Sequence, residues 1–584
     1  MMKVVLKHAG EWLCFSKPER VLRADRIDQV MPMIHEAEAS GLFAAGFIAY
    51  EAAAAFDAAL KTHAGDVFPL LCFGLFRAPE VLEDIEHTPG ARYEIGSLTP
   101  SISRKEYVAS IARIKTQIAE GATYQVNYTY RLNADFNGDA WAFFHALVKD
   151  QKAEHAAFVE VDGYAICSAS PELFFSLRDG TIVSRPMKGT AQRGRTNDED
   201  RQQAEALRHS EKDRSENIMI VDMIRNDIGR VAKPGSIKTV SVFDIEKYPT
   251  VWQMTSTVSG ETAEPVSAVL KALFPCASIT GAPKSKTMEL IHGLEDRPRK
   301  IYTGSVGFLS PRGEASFSVA IRTALIDQKK GTLEYGVGGG IVWDSDAASE
   351  YEETLIKARV LTRPRPDFKL LETLLWEPAS GIFLLDGHFR RLGNSAAYFD
   401  IPLDAPAIRR ALEQALQDIE RAPHKVRMLI SRNGEFEIQC ALLGSQPDER
   451  IDVALAKKPV DSLDVFLFHK TTHRSVYETA RADFPDFADV ILWNEHGEVT
   501  ESCIANVVIR KEGKLITPPV ECGLLAGVFR QHLLNNDEIE EGVVLIEDLW
   551  TADDVFLVNS VRKWQKCTLP SSDQGARHPH SYRR

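Results

Sequence analysis

The sequence has no CxxC pair and no regular cysteine framework: its 8 cysteines, at positions 14, 72, 167, 276, 440, 503, 522 and 567, are scattered along 584 residues. That spacing excludes a disulfide scaffold and a structural zinc site, and it reads as reduced thiols. Also missing is any apolar run of about 18 residues, the length that a membrane-spanning helix requires. The stretch from Gly41 to Tyr50 comes nearest, and Glu51 ends it. The opening MMKVVLKHAGEWLCFSKPER meets charge before a signal-length apolar core forms, so a cytoplasmic protein is expected. Positive charge is in deficit: 69 Lys plus Arg against 82 Asp plus Glu leave a net charge of −13, which disfavours nucleic acid and anionic membranes as partners. No internal repeat is evident. What is present is ample apolar content, 44% against 26% charged residues, enough for large cores. The length predicts about four compact units or two large ones.

The pattern divides the chain. Residues 1 to about 95 mix short strand-like runs, Phe47 to Tyr50 and Leu70 to Phe76, with Ala-rich helical stretches, and end in the polar SLTPSISRKEY, read as a seam. From 104 to 360, helices (Tyr107 to Glu120, Ser215 to Arg225) alternate with period-two strands (Phe158 to Val161, Ser316 to Ala324), an α+β pattern. Pro364 and Pro366 then mark a connector in LTRPRPDF. Strands dominate the rest (Lys425 to Ser431, Asp489 to Trp493, Asn506 to Arg510, Asp554 to Leu557), with helices at Ala405 to Glu420 and Gly527 to Leu534. The expected division is 1–362 with a seam near 95–100, a linker 363–368, a second α+β domain 369–568, and a disordered tail 569–584.

In the first domain, four segments carry unusual residue choices. SPELF (170–174) and RPMKGTAQRGR (185–195) bring Glu172 and a lysine, Lys188, set on turn-forming backbone. Buried, such a lysine is a candidate nucleophile, because a neutral amine attacks and an ammonium does not. Glu172 is the candidate proton donor to a leaving group. By themselves a KG pair is usually a turn and a strand-end glutamate a surface charge. The second segment, EKDRSENIMIVDMIRNDIGRV, opens an apolar helix face with Glu216. In the third, SEYEETLIKARVL, Glu350, Glu353 and Lys357 at i, i+3 and i+7 share one helix face. Carboxylates converging from separate helices can hold Mg²⁺, although a self-paired solvated face fits the spacing as well. In the fourth, GVGGGIVWDS with SITGAPKSK and FSVAIRT, the glycine run offers backbone N–H groups to an anion, and Arg322 offers a fork for a carboxylate. The run is not a dinucleotide fingerprint, since Gly336 and Gly338 are followed by Ile341 where a third glycine would stand.

Taken in order, the SPE, KGT, EN-MIVD-RND, FP-SITGAPK, Y-G-GF, AIR and G-GGIV-DS-EYEET-KA strings resemble the chorismate-binding enzyme family over nearly all of residues 100–360. The resemblance implies a fold of two packed antiparallel sheets flanked by helices, with 1–95 as a reduced N-terminal subdomain and 100–362 as the catalytic core. PMKGT with Lys188, where the anthranilate enzymes resemble PIAGT, points to the aminodeoxychorismate synthase component I branch. The resemblance then implies that Lys188 adds to chorismate at C2 as the C4 hydroxyl leaves, that Glu172 serves as acid and base, and that ammonia displaces the lysine. Glu216 and Glu353, with Glu350, would hold Mg²⁺. Arg322, Tyr302 and the amides of Gly338, Gly339 and Gly340 would hold the enolpyruvyl carboxylate, with Ser278, Thr280 and Lys357 lining the pocket. Gln253 in VWQMTS stands where many relatives carry a histidine.

In the second domain, Lys470 of FLFHKTTHR follows an apolar strand. LLETLL, LDGHFRRL, KVRMLISRNG, GEVTESCIANVVI, LITPP, GLLAGVFR and FLVNSV together resemble the fold-type IV pyridoxal-phosphate enzymes, which have an α+β fold. The resemblance implies that Lys470 binds the pyridoxal phosphate aldehyde and Glu501 faces its ring nitrogen. Arg391, Asn559, Ser560 and the helix start at Ala526, Gly527 and Val528 would take the phosphate. The HK-T-R string resembles the aminodeoxychorismate lyase branch, with Thr373 as its catalytic threonine.

The joint expectation is 4-aminobenzoate synthesis for folate: chorismate and ammonia give 4-amino-4-deoxychorismate, which the second site splits into 4-aminobenzoate and pyruvate. The chain shows no glutaminase nucleophile elbow, so ammonia would come from solution or from a separate glutamine amidotransferase subunit. A homodimer through the second domain is a further expectation. Two alternatives stay open: an anthranilate- or isochorismate-type synthase fused to a class IV aminotransferase, and a non-catalytic chorismate sensor on an active pyridoxal enzyme.

Overall fold

The computed structural model describes residues 2–64, 67–86, 88–151, 153–362, 366–417, 419–444 and 450–570. The linker expected at 363–368 therefore lies partly outside the described residues, and the tail expected at 569–584 almost wholly so. The chain divides into two compact units, one of residues 1–192 and 203–365, the other of Arg193–Gln202 with Pro366–Arg584.

Alternating apolar strands in the first unit pair into an eleven-stranded and a ten-stranded sheet. Val4, Phe15, Val159 and Ile166 from one and Phe47, Val306 and Phe308 from the other share one core between the sheets. Each sheet's other face is covered by helices. Ile27–Ala39, Glu211–Gly229 and Val266–Leu273 lie on the ten-stranded sheet. Arg104–Ala119, Ala140–Gln151 and Ala347–Thr362 lie on the eleven-stranded one. Burying one large apolar side chain in such layers stabilises by about 1.5–3 kcal/mol, which orders strands whose ends carry polar residues.

Strands of residues 3–95 join both sheets. Within the polar segment read as a seam, a helix starts: Ser103 Oγ accepts from the Glu106 N–H at 3.3 Å while the Glu106 carboxylate accepts from the Ser103 N–H at 2.7 Å. The single strand expected from Ser316 to Ala324 is two, Ala315–Val319 in the ten-stranded sheet and Thr323–Asp327 in the eleven-stranded one. Arg322 sits where the chain crosses, with φ +48°. Small and apolar residues alternate from Ser316 to Ile321, past the end of the first strand, so the pattern does not reveal the break.

In the second unit, Gly381–Ile382, Leu370–Glu377, His424–Ile430 and Phe436–Leu442 form a four-stranded sheet, with the helix Leu385–Phe399 on its apolar face. A separate eight-stranded sheet mixes parallel and antiparallel pairs. Both units are α+β, as expected.

Candidate active sites

A cavity of about 320 Å³ in the first unit gathers most of the residues singled out in sequence. Lys188 lies on the strand Met187–Gln192, whose pairing with Val251–Glu261 slips between Met187 and Thr190. Gly189 at that slip has φ +104°, a conformation glycine adopts without strain. The KGT string is thus a strand irregularity that re-aims the lysine, not a free turn. Gln253 fastens it, its Nε2 donating to the Gly189 carbonyl at 2.9 Å and to Thr190 Oγ1 at 3.0 Å. Lys188 Nζ stands 2.9 Å from Glu216 Oε2, an ion pair with both side chains about one-seventh exposed. The amine is thus held by a carboxylate.

Glu172 is 2% exposed and accepts from Ser278 Oγ at 2.6 Å. Burial pushes its carboxyl up to about 7, against the pull of Ser278, the Met187 N–H and Lys188. It is a carboxyl poised to carry a proton near neutrality.

The glycine run is itself a strand, Thr332–Ile341, and not a loop. One edge pairs with Gln125–Gly138 throughout, whereas pairing with Thr323–Asp327 on the other edge ends at Tyr335. The glycines leave room. A Cβ on Gly340 would lie 2.4 Å from Lys188 Nζ and 3.1 Å from Gln125 Nε2, and one on Gly336 would meet the Tyr302 ring at 2.1 Å. Lys357 Nζ donates to the Gly338 carbonyl at 2.9 Å and pairs with Glu353 at 2.9 Å. Lys357 is the first cause of Glu353's lowered pKa; burial, offset by Ser345 at 2.7 Å, raises that of Glu350. Arg322 lines the same cavity and donates to Gln151 Oε1 at 2.8 Å.

One residue stands apart: Thr280 is fully buried, with its hydroxyl donating to the Cys276 carbonyl at 3.0 Å, so its side chain holds the SITG turn and is not on the cavity wall. Two residues the sequence reading missed stand out. Gln125 is fully buried with neither amide atom bonded, and the buried Tyr335 hydroxyl is likewise unbonded. Gln125 carried a signal, an amide set between the aromatic Tyr124 and the apolar Val126.

Glu216, Glu350 and Glu353 all reach this cavity. No three acidic, histidine or cysteine groups among the described residues are gathered closely enough to hold a metal ion. The carboxylates are instead engaged by Lys188, Ser345 and Lys357. In this arrangement they do not fit a preformed magnesium centre.

The second unit prepares a different lysine. Burial, then Arg391, lowers the Lys470 amine to about 8. The Lys470 carbonyl accepts from the Leu371 N–H at 2.9 Å, fastening it to the strand Leu370–Glu377. Arg391 makes a two-pronged contact with Glu372, at 2.8 and 2.7 Å, and its Nη1 donates to the Ala526 carbonyl at 3.3 Å. Burial pushes Glu372 up, yet Arg391 and His388 outweigh it and hold the carboxyl at about 2. Glu501 accepts from the Tyr477 hydroxyl at 2.7 Å and the Leu525 N–H at 3.3 Å, and burial raises it to about 7. Gly527 caps the helix Val528–Asn535, and a Cβ there would lie 1.9 Å from Asn506 Oδ1.

These residues fit pyridoxal phosphate: a buried amine, a buried acid and an arginine beside a helix start, with His388 Nε2 buried and unbonded. Glu372 and His388 were missed in sequence, although an acid inside the apolar LLETLL run was a signal. Thr373 follows Glu372 on its strand and so projects from the opposite face. Asn559 Oδ1 accepts from the Val561 and Arg562 N–H groups at 2.9 and 2.8 Å, shaping the turn that also contains the buried Ser560.

Residues 9–363 match the family model described as chorismate binding enzyme, and residues 369–569 match Amino-transferase class IV. Aminodeoxychorismate synthase component 1 of Salmonella typhimurium is 42% identical over 266 residues, 45% of this chain and 58% of that protein. Anthranilate synthase component 1 of Cereibacter sphaeroides is 36% identical over 300 residues, 50% of this chain and 59% of its own length. The chain thus spans somewhat more than half the length of these curated relatives. The solved anthranilate synthase component I of Streptococcus pneumoniae superposes with a TM-score of 0.51 at 23% identity, covering 62% of this chain and 92% of that one, a likeness of fold. The chain belongs to the chorismate binding enzyme family and continues into an Amino-transferase class IV region.

Proposed function

We propose that the chain makes 4-aminobenzoate from chorismate at two sites. The observation that carries this reading is Lys188 in one cavity with the buried, proton-bearing Glu172, beside a glycine whose missing side chain leaves the amine its space. Lys188 Nζ forms a bond to C2 of the ring as the C4–oxygen bond breaks, and Glu172 gives its proton to the departing hydroxyl, which leaves as water. Ammonia then bonds to C4 as the C2–nitrogen bond breaks, returning the lysine and giving 4-amino-4-deoxychorismate. Before the first bond forms, Lys188 must give up its proton and its Glu216 partner. Arg322, Tyr302 and the open Gly336–Ile341 strand edge suit the enolpyruvyl carboxylate. The unbonded Gln125 amide offers an uncharged acceptor for ammonia. The Lys188 chemistry distinguishes this reading from an anthranilate- or isochorismate-type synthase. Magnesium on Glu216, Glu350 and Glu353 would require Lys188 and Lys357 to release their carboxylates, and no step above depends on it.

At the second site Lys470, Glu501, Arg391 and the start of the helix Val528–Asn535 would hold pyridoxal phosphate, which when bound supplies an aldehyde and an electron-withdrawing ring. Glu501 keeps a proton near the ring nitrogen. Glu372 holds Arg391 in place for the phosphate, and Lys470, at about 8, exchanges protons near neutrality. The overall change is loss of pyruvate from 4-amino-4-deoxychorismate, leaving the aromatic amine. Ammonia comes from solution or from a separate amidotransferase. The test is the full chain with chorismate, ammonium and pyridoxal phosphate, with and without magnesium: 4-aminobenzoate and pyruvate are expected in equal amounts. Formation of 2-aminobenzoate or isochorismate, or no use of chorismate, would overturn the reading.

A further inference from the structure

The segment Arg193–Gln202 falls inside the residues that match the chorismate binding model, yet it belongs to the second compact unit. There it surrounds His469, the residue before Lys470. The Arg195 carbonyl lies 3.1 Å from His469 Nε2, and Ser395 Oγ lies 2.9 Å from Nδ1. A carbonyl can only accept, so Nε2 carries the proton and Nδ1 accepts from the serine, which fixes one tautomer and one ring orientation. Tyr398 and Phe399 pack on the ring, with centroids at 4.4 and 4.8 Å.

The segment is held firmly. Arg193 makes a two-pronged contact with Asp200, at 2.6 and 2.7 Å, with both side chains at most 5% exposed. Arg193 also donates to the Tyr398 carbonyl at 3.0 Å, and the Tyr398 hydroxyl donates to the Gly194 carbonyl at 2.8 Å. Arg195 lies 5.0 Å over the Phe468 ring and donates to the Glu521 carbonyl at 3.2 Å. Between the arginines, a Cβ on Gly194 would come within 2.2 Å of the Asp200 backbone nitrogen, so the fold of the segment depends on glycine there.

We propose that Arg193–Gln202 is a positioning element of the second site: the Arg195 carbonyl fixes His469, and through it the lysine that follows. This rests on the reading of Lys470 as the pyridoxal-binding lysine. The segment touches no reacting atom in this account; it sets the direction in which Lys470 leaves its backbone. The second site thus depends on residues that lie more than 160 positions before its own strands.

The test uses the full chain with two variants, Gly194→Ala, which forces the segment apart, and Tyr398→Phe, which removes one tie and keeps the ring. Titration of pyridoxal phosphate into the cofactor-free protein is read with the pH at which the absorbance of the lysine-bound cofactor changes. A single lost hydrogen bond corresponds to about a ten-fold loss of affinity at most. The expected result is a loss of about that size in Gly194→Ala, a smaller one in Tyr398→Phe, and a displaced pH transition in both. Unchanged affinity and pH transition in both variants would overturn the proposal, as would an affinity loss in step with lowered melting temperature and no displaced transition. A wild-type chain that forms no lysine-bound absorbance would refute the reading of Lys470 and the proposal with it.

Discussion

Lys188 and Lys470 are the same side chain prepared in two ways. Lys188 lies in an open cavity against a carboxylate, 2.9 Å from Glu216, with a second buried carboxyl on the same wall. Lys470 is governed by burial and a nearby arginine, which lower its amine to about 8. The contrast teaches that the first site must break an ion pair before its amine can attack, whereas the second holds an amine that deprotonates readily.

The largest effects come from removing each amine. Lys188→Ala is expected to lower amination by about a thousand-fold or more, since a nucleophile is lost. Chorismate binding measured by titration should persist, as should 4-aminobenzoate formation from supplied 4-amino-4-deoxychorismate. Lys470→Ala should do the reverse, and a defect at both sites in either variant would break the comparison.

Next comes Glu172→Gln, expected to slow amination about 10²–10⁴-fold, the usual contribution of a positioned acid. In the wild type, Glu172 raised to about 7 is protonated below that pH, so the amination rate should fall as pH rises through about 7. The variant should lose that limb of the profile, measured as chorismate consumed from pH 5.5 to 9. A smaller but more selective effect is expected from Gly340→Ala. Its Cβ would press on two side-chain ends, the Lys188 amine and the Gln125 amide, and on no backbone, so melting should change little while amination falls about ten- to a hundred-fold.

The smallest effect concerns acid stability of the second unit. Glu372 is held at about 2 in the fold against an ordinary value of 4.5, so its ionised form stabilises the native state. That contribution is present above about pH 4.5 and is lost as pH falls toward 2. Glu372→Gln should therefore flatten the acid side of the unfolding curve, followed by circular dichroism, and weaken pyridoxal phosphate binding by loosening Arg391.

The sequence made the main chemistry legible because it sits in compact strings. PMKGT and SPELF carry Lys188 and Glu172, EYEETLIKA carries Glu350, Glu353 and Lys357 on one helix, and the cavity gathers them. What stayed hidden depends on backbone direction and on pairing over long distances. Ser316 to Ala324 reads as one strand because its alternation continues across the crossing, and only the φ of Arg322 marks the change of sheet. Thr280 looks like a pocket residue in SITG, yet its hydroxyl is spent on the Cys276 carbonyl. Glu372 and Gln125 gain their meaning from Arg391 and Gly340, 19 and 215 positions away, and no local pattern shows such partners. The place of Arg193–Gln202 in the second unit is hidden for the same reason.

The covalent role of Lys188 can be tested by exposing the full chain to chorismate without ammonia, quenching rapidly, and weighing the peptide that contains it. The account predicts a mass gain of chorismate less one water, confined to that peptide and lost on adding ammonium. Product formation from ammonium with an unmodified peptide at every quench time would contradict it.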